Sequence, residues 1–451
     1  MTEQRSGARE GSLDAPTRYP IAWQEPGFLD TNSLFAEMER VFDICHGCRR
    51  CFSLCNSFPT LFEAVDATDS GEVAALDRKV YWDVADHCYL CDMCYRSKCP
   101  YVPPHPWNVD FPHLMLRAKA YKFQHEPVSA RDRLLSSTDI VGRIAGIPVV
   151  AQIVNAVNRT ETGRALLDKA IGVHREAPVP EYHSRPYRRR HRDKTPAATP
   201  KAAGRTRGRV VLFMTCYGNR NEPDLCADLT AVFEHNGIAV TLLRQERCCG
   251  MAKLELGDLQ AIAKLKDSNI PELAARVEEG WDIVTPIPSC TLMFKQELPL
   301  LFPDDPQVAK VQAATFDPFE YLWARHKAGL LRTDFPTAIG KVSYHVPCHL
   351  RVQNIGLKTR DVLMLVPGTQ VETIERCSGH NGTYAVKREY RDISMKIGRP
   401  AMRRVADANA DHYSSDCPMA GHQIEAGLAV PGKPAREPEH PLELLRMAYG
   451  I

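Results

Sequence analysis

The chain has 451 residues, 44% of them hydrophobic, and its 57 basic and 55 acidic residues leave a formal net charge of +2. This length predicts two or three domains, and the apolar fraction suffices for ordinary soluble cores. The near-neutral balance excludes a protein that binds nucleic acid through its overall charge. The unusual feature is the count of sixteen cysteines, so their placement along the chain carries the prediction of chemistry.

The first segment, residues 1–33, is predicted to be a flexible or loosely packed lead-in. Its polar start lacks the apolar core of a secretory signal. No uninterrupted apolar run reaches membrane-spanning length, and the closest, residues 140–157, is broken by charged, polar and proline residues. Abundant thiols without export indicate a reducing compartment, where cysteines serve as metal ligands. We therefore expect a cytoplasmic protein.

The second segment, residues 34–125, carries eight cysteines in two dense runs among predicted helices, the first of which begins at Asn32-Ser33. The runs have the spacings Cys-x2-Cys-x2-Cys-x3-Cys and Cys-x2-Cys-x2-Cys-x4-Cys-Pro. This ligand pattern is typical of a two-cluster bacterial ferredoxin, although the x4 gap is one residue longer than usual.

The spacing predicts two [4Fe–4S] clusters with crossed ligation, because in such pairs the fourth cysteine of each run binds the other cluster. The predicted ligand sets are Cys45, Cys48, Cys51 and Cys99 for one cluster, and Cys88, Cys91, Cys94 and Cys55 for the other. Zinc sites usually use paired cysteines rather than triplets, and disulfides suit a secreted chain, so both alternatives are disfavoured.

Residues 126–173 are predicted to form a helical extension, and residues 174–208 a basic, Pro/Ala-rich linker. The apolar run at 140–157 is interpreted as a helix packed on the ferredoxin-like part, with a docking surface for a partner or a membrane as the alternative. The linker is expected to be solvated, and contact with anionic lipid headgroups or an acidic partner is its alternative. Either alternative would place the protein peripherally at the inner face of the cytoplasmic membrane.

The C-terminal part contains an internal repeat, divided into residues 209–335 and 336–451. Each half has a β-rich run before a cysteine, then a cysteine closely followed by glycine, then a run before a further cysteine. The landmarks are Cys216, Cys248, Cys249 and Cys290, then Cys348, Cys377 and Cys417. Strands that alternate with helices predict parallel sheets, whose ligands gather at the carboxyl ends of the strands.

The predicted fold class is therefore α+β overall. It comprises an N-terminal helical two-cluster ferredoxin-like domain, followed by a duplicated α/β cysteine-rich domain with parallel sheets. The cysteines of the duplicated domain fall where each predicted strand ends, which makes that edge the expected site.

The Cys-Cys-Gly motif, the distant cysteine before it, the following Ser-Cys and the duplication resemble the cysteine-rich (CCG) domain of the heterodisulfide reductase subunit designated B. The order of a ferredoxin module and this duplicated domain resembles the iron–sulfur subunits of anaerobic glycerol-3-phosphate dehydrogenase and glycolate oxidase. Residues 167–183 are especially similar to the iron–sulfur subunit of the glycerol-3-phosphate enzyme, which is designated C. The resemblance covers about residues 34–425 and is specific for the superfamily rather than for a substrate.

The resemblance implies five cysteines in each half, and this chain departs from that pattern. Met293 stands at the fifth position of the first half, which leaves four thiolates, enough for a cubane. Ser378 and Ala420 replace two cysteines of the second half, where His380 and two other histidines lie beside the remaining three. A third iron–sulfur cluster or a Cys3His zinc site is therefore expected, and an altered, substrate-facing site or buried thiols are the alternatives. The candidate metal ligands are Cys216, Cys248, Cys249, Cys290, Cys348, Cys377, Cys417 and His380.

The predicted function is that of an iron–sulfur electron-transfer subunit of an oxidoreductase complex. The chain has no Gly-x-Gly-x-x-Gly loop for a flavin or nicotinamide, so a partner would carry that chemistry. The resemblance implies a flavoprotein dehydrogenase of glycerol-3-phosphate or 2-hydroxy-acid type as donor, and a quinone or redox protein as acceptor. The alternative is a catalytic reductase of the heterodisulfide type acting at the cysteine-rich domain, with no catalytic residue identified.

Overall fold

Helices dominate the chain, and the strands form two small parallel sheets within residues 209–415. The computed structural model describes residues 16–191, 199–429 and 436–451. These divide into two units. The N-terminal unit comprises the described residues up to Pro127 together with Leu254–Leu259, and the repeat unit comprises Val128–Lys253 and Gln260–Ile451.

The N-terminal unit is built from helices around an aromatic core. Its helices are α1 (Thr31–Cys48), α2 (Ser57–Asp66), α3 (Arg78–Asp86), α4 (Met93–Ser97) and α5 (Phe111–His125). The first helix begins near its predicted start because the Asp30 carboxylate accepts the Ser33 N–H at 2.7 Å. The ring of Phe58 lies 4.8 Å from that of Phe111, which ties α2 to α5.

The described part of the lead-in is packed rather than loose, contrary to the sequence prediction. The Arg18 guanidinium forms ion pairs with Asp92 at 2.5 Å and Asp110 at 2.8 Å, and its side chain is only 8% exposed. The Tyr95 hydroxyl donates to the Thr17 carbonyl at 2.9 Å. These contacts hold the lead-in against the second cysteine run, whereas residues 1–15 lie outside the described residues.

The helical extension and the basic segment both belong to the repeat unit. Their helices are α6 (Ala130–Ser136), α7 (Thr138–Ala145), α8 (Pro148–Arg159), α9 (Glu161–Ile171) and α10 (Tyr187–Arg190). The basic segment is packed over its described part rather than solvated, because Tyr187 is buried and its hydroxyl lies 2.6 Å from that of Thr230. Arg188 donates to the Leu243 carbonyl at 2.6 Å. Residues 192–198 of the predicted linker lie outside the described residues.

The two sheets share a three-strand order, as the predicted repeat requires, and the first sheet carries β4 as an additional strand. The strands are β1 (Arg209–Leu212), β2 (Ala239–Leu242), β3 (Asp282–Val284), β4 (Thr315–Phe316), β5 (Lys341–His345), β6 (Gln370–Ile374) and β7 (His412–Ser415). The orders are β2-β1-β3-β4 and β6-β5-β7, and all pairs are parallel. The first strand of each repeat is therefore central, with its second and third strands on either side.

Helices connect these strands, as parallel pairing requires. They are α11 (Cys216–Arg220), α12 (Pro223–His235), α13 (Met251–Leu256), α14 (Leu259–Glu278), α15 (Pro288–Leu292), α16 (Leu298–Leu301), α17 (Pro306–Ala314), α18 (Pro318–Lys327), α19 (Cys348–Arg351), α20 (Lys358–Leu363), α21 (Arg391–Asp407), α22 (Pro418–Leu428) and α23 (Pro441–Tyr449). The central strands β1 and β5 are almost entirely buried beneath them.

Candidate functional site

The first predicted four-cysteine group comes together at the end of α1. Cys45 and Cys48 occupy the last turn of that helix, three residues apart and therefore on one face. The chain then turns through Arg49, whose φ of 53° lies in the left-handed region, and presents Cys51. One small pocket is lined by all four predicted ligands and by apolar side chains, the cysteines being Cys45, Cys48, Cys51 and Cys99.

Three thiols of this group, those of Cys45, Cys51 and Cys99, stay protonated in the absence of a cation because the pKa of each is raised. Burial raises the pKa of Cys45 well above its usual range, and the neighbouring thiols of Cys99, Cys51 and Cys48 raise it further. Burial likewise raises the pKa of Cys51 to about 12. A cationic iron centre would supply the missing positive charge and make four thiolates stable, with release of protons on binding. The donor set and its surroundings therefore fit a cubane cluster.

The second predicted group also comes together, and it includes Cys55, which comes from the first cysteine run. Burial raises the pKa of Cys55 well above its usual range, and Cys88 and Cys91 of the other run are the next largest causes. The pKa of Cys94 is raised in the same way by burial, then by Cys51 and by the other members of its own group. Cys51 belongs to the first group and raises the pKa of Cys94 in the second, so the two groups lie close together.

The first repeat gathers its four cysteines at the carboxyl edge of its sheet. Cys216 follows β1, Cys248 and Cys249 follow β2, and Cys290 lies in α15 after β3. Hydrogen bonds from the thiols of Cys216 and Cys249 hold the pKa of Cys248 well below its usual range. The Gly250 N–H also points at the Cys248 sulfur, at 3.5 Å. Cys248 is therefore the member of this group that loses its proton most readily.

Two residues of α7 contact this cysteine group and were missed by sequence reasoning. The Asp139 carboxylate accepts the Cys248 backbone N–H at 2.8 Å, and the Thr138 hydroxyl, which is buried without a hydrogen-bond partner among the described residues, lies near the Cys216 and Cys248 thiols. The only local signal was the Ser137-Thr138-Asp139 helix start, which marks an N-terminus but names no distant partner. The helical extension thus contributes directly to the site.

Met293 occupies the place of the missing fifth cysteine as a core side chain. It is fully buried, and its methyl group lies 3.6 Å from where a Cβ on Gly250 would stand. Among the described residues, no group of three or more His, Cys, Asp or Glu side chains surrounds a single metal-ion position. The first repeat therefore offers four thiols, a number that suits a cubane.

The second repeat reproduces the local geometry of the first with fewer thiols. Cys348 follows β5, Cys377 follows β6 and Cys417 follows β7. The Gly379 N–H donates to the Cys377 sulfur at 3.3 Å, matching the bond from Gly250 to Cys248 in the first repeat. Both glycines have φ in the left-handed region, at 105° for Gly250 and 79° for Gly379, which explains the glycine in each half.

The two repeats meet through these edges. The Ser289 hydroxyl lies 2.7 Å from Nδ1 of His349, which joins the loop after β3 to that after β5. Burial, with smaller contributions from Asp416 and from Cys290 of the first repeat, raises the pKa of Cys417 to about 11. The cysteine-bearing edges of the two repeats therefore lie close together.

His380 lies in this region beside two other histidines. Burial, together with His422 and His349, lowers the pKa of His380 to about 4. Neither of its ring nitrogens is accessible to solvent or has a hydrogen-bond partner among the described residues. An unpaired buried polar group of this kind costs about 1–3 kcal/mol, so the ring is placed for a group that would bind it.

Comparison with known proteins identifies the repeated domain. A family model described as the cysteine-rich domain (CCG) matches residues 210–295 and again residues 342–425, which confirms the predicted duplication. The anaerobic glycerol-3-phosphate dehydrogenase subunit designated C, from Escherichia coli K12, is 29% identical over 347 residues, covering 76% of this chain and 83% of that protein.

Two archaeal proteins are similar over shorter lengths. The fumarate reductase (CoM/CoB) subunit designated B, from Methanothermobacter marburgensis, is 27% identical over 246 residues, 53% of this chain and 46% of that protein. An uncharacterised iron–sulfur protein from Methanocaldococcus jannaschii is 25% identical over 222 residues, 49% of this chain and 42% of that protein. The predicted resemblance to iron–sulfur subunits of oxidoreductases is thereby confirmed.

Proposed function

We propose that this chain, which carries the cysteine-rich domain twice, is an electron-transfer subunit of an oxidoreductase complex. The observation that carries the proposal is the assembly of two neighbouring four-cysteine groups in the N-terminal unit. Each group has the ligand number and sequence pattern of a [4Fe–4S] site. The proposed ligands are Cys45, Cys48, Cys51 and Cys99 for one cluster, and Cys55, Cys88, Cys91 and Cys94 for the other.

Each of the two clusters would carry one electron. The two cysteine groups that would hold them are buried and lie close together. Cys51 of one group lies near enough to Cys94 of the other to raise the pKa of the Cys94 thiol. A short separation of this kind supports relay of single electrons. We place a flavoprotein dehydrogenase of glycerol-3-phosphate or 2-hydroxy-acid type on the donor side, since one similar protein is named as part of a dehydrogenase. A quinone or redox protein is the proposed acceptor.

The cysteine-rich domain is proposed to hold a further centre. Four thiols of the first repeat would suit a third cluster, with Cys248 already stabilised as thiolate. The proposed ligands are Cys216, Cys248, Cys249 and Cys290. The second repeat, with Cys348, Cys377, Cys417 and His380, is proposed as an altered metal site or a site that faces the substrate.

Helices α7 and α8 support a peripheral association with the cytoplasmic membrane. Ile140, Ile144, Val149 and Ile153 are each between 55% and 64% exposed, so this face is uncovered rather than packed in a core as favoured from the sequence. Residues 140–160 contain two arginines and no acidic residue. An uncovered apolar face with basic residues suits the surface of an anionic bilayer.

No single helix of the described residues is long and apolar enough to cross a membrane. Within the same residues, only the pair α7 and α8 would be so if taken together, and the two helices are bent by 103° at their junction. The proposed contact therefore lies along the bilayer surface.

Reductive titration of the anaerobically purified full chain tests the relay. With dithionite as reductant, we expect the chain to take up at least about two electron equivalents, one for each cubane. Ferricyanide should then recover the same number. A chain that binds iron but takes up no electrons in this range would contradict the proposal.

A further inference from the structure

The repeat unit contains a cleft of about 1920 Å³, lined by apolar and by polar side chains. Helices α7 and α8 supply Val141, Ile144, Val150 and Val154 to its lining. This volume exceeds the usual 300–1,000 Å³ of a small-molecule pocket, so a long ligand or a ligand with a tail could lie in it. Because Ile144 also belongs to the exposed apolar face, the cleft is continuous with that face.

Redox-active and hydrogen-bonding side chains also line this cleft. Cys216 of the first repeat and His380 of the second both face it. Thr138, the first residue of α7, belongs to the same lining. A molecule in the cleft would therefore meet apolar walls, the edge of the cysteine group and an imidazole ring at once.

His380 is the feature that points to a ligand. Both of its ring nitrogens are buried and lack a partner among the described residues, although the ring lines a cleft. A neutral imidazole offers one N–H donor and one acceptor nitrogen. A carbonyl or hydroxyl oxygen of a bound molecule would satisfy one of them.

We propose, resting on the proposed function, that this cleft binds a lipophilic quinone with its ring beside Cys216 and its carbonyl oxygen accepting a hydrogen bond from His380. The apolar walls would hold the ring and the tail, and the exposed face of α7 and α8 would admit the molecule from the bilayer. Of the two acceptor classes in the proposed function, a lipophilic quinone is the one that an apolar cleft of this size fits.

The reaction is a two-electron, two-proton reduction. The quinone takes two electrons, delivered singly by the iron–sulfur relay, and two protons from solvent, so that both C=O groups become C–OH and the relay is oxidised twice. His422 provides a route for the protons, because it lines the cleft and lies 2.8 Å from Glu425 and 3.5 Å from Glu222. No bond between the quinone and the protein forms at any stage.

Two variants and a matched control test the site in the full chain. Val150→Trp should fill the cleft, and His380→Phe should remove the hydrogen bond, whereas Met364→Trp adds the same ring to a 54% exposed position outside both the cleft and the α7–α8 face. Binding of 2-methyl-1,4-naphthoquinone to the oxidised chain is measured by equilibrium dialysis. Reoxidation of the dithionite-reduced chain is measured with decylubiquinone and, separately, with ferricyanide.

We expect Val150→Trp and His380→Phe to weaken binding and to slow reoxidation by the quinone about tenfold or more. Ferricyanide should oxidise them at the unchanged rate, and Met364→Trp should behave as the parent chain. Val154→Phe replaces Val150→Trp if that variant does not fold.

Quinone binding and reoxidation that are unchanged in both variants, or absent in the parent chain, would overturn the inference and leave the proposed function standing. Failure of the proposed function gives a different result, namely a parent chain that takes no electrons from dithionite and returns none to ferricyanide.

Discussion

The cysteine side chains of this chain occupy three different environments. The eight thiols of the N-terminal unit form two groups, and burial and mutual repulsion keep those with shifted pKa values protonated until a cation binds. Cys248 of the first repeat is instead stabilised as a thiolate by two neighbouring thiols. Cys226 is fully buried in α12, where its sulfur lies 3.6 Å from the Met214 carbonyl, and belongs to none of these groups.

Cys51→Ser tests the proposed ligation of the first group. A serine oxygen is a poor substitute for a thiolate, so the variant should lose about four irons and four acid-labile sulfides per chain while keeping its circular dichroism spectrum. Cys226→Ser, at a buried thiol outside the groups, is the control and should retain the parent content. Unchanged iron in the Cys51 variant would disprove the assignment.

Arg18→Met tests the buried ion pairs beneath the second cysteine run. Removal of the guanidinium breaks a buried ion pair of Asp92, which is 4% exposed, and such losses cost about 3–5 kcal/mol. The visible absorbance of the clusters should therefore be lost at markedly lower urea concentration.

Arg40→Met is the matched control, because the Arg40–Glu37 pair is exposed on both sides. Exposed pairs of this kind contribute about 0–1 kcal/mol, so this variant should unfold close to the parent. Equal urea midpoints for the two variants would contradict the structural role of Arg18.

At the residue scale, the sequence predicts which cysteines share a cluster better than it predicts which other side chains lie beside the cysteines. The ferredoxin cysteines could be grouped in advance because their spacing encodes which sulfurs share a loop. Asp139 and His380 could not be placed, because their partners lie far away in sequence and depend on how α7 and the second sheet pack. Whether a buried polar side chain has a hydrogen-bond partner can be read only from the tertiary structure.

Helices α7 and α8 are the element whose role the sequence left most open. The spacing of their apolar residues indicates amphipathic helices, but it does not tell whether the apolar face packs in the protein core or lies on the surface. The structure decides between them by leaving Ile144 and Ile153 exposed.

Ile144→Glu combined with Ile153→Glu tests the proposed membrane contact. Two acidic side chains should oppose insertion into an anionic surface, so cosedimentation with phosphatidylglycerol vesicles should fall about tenfold or more. Met364→Glu, at an equally exposed position after α20, is the control and should bind as the parent does. Equal binding of the double variant would contradict the proposed face.

Helix α23 provides a pH-dependent element. His440 caps it, since its ring Nδ1 accepts the Leu442 N–H at 3.2 Å, and burial lowers the pKa of His440 to about 3. Between about pH 6.5 and 3 the unfolded chain binds a proton that the folded chain does not, so stability falls as the pH falls, by about 1.4 kcal/mol per unit.

His440→Asn keeps a capping side chain but removes this titration. Urea unfolding at about pH 7 and about pH 5.5 should therefore show a smaller acid-induced loss in the variant, by about 1 kcal/mol. Identical losses in the two proteins would show that His440 does not titrate as described.

At the scale of the whole molecule, the duplication predicted from spacing corresponds to two sheets of equal strand order. The landmark cysteines revealed the repeat because parallel strands bring their carboxyl ends to one edge. The sequence did not reveal that the two edges face each other through Ser289 and His349, since such packing depends on shape rather than periodicity. It also placed the basic segment in solvent, although Tyr187 and Arg188 are bound to the first repeat.

Metal analysis of the anaerobically purified chain tests the central claim most directly. Iron, acid-labile sulfide and zinc per chain should be measured together with electron paramagnetic resonance of reduced and oxidised samples. The account predicts at least about eight irons with equal sulfide, and about twelve where the first repeat also holds a cubane. Zinc without sulfide, or iron well below about eight in a fully folded chain, would contradict it.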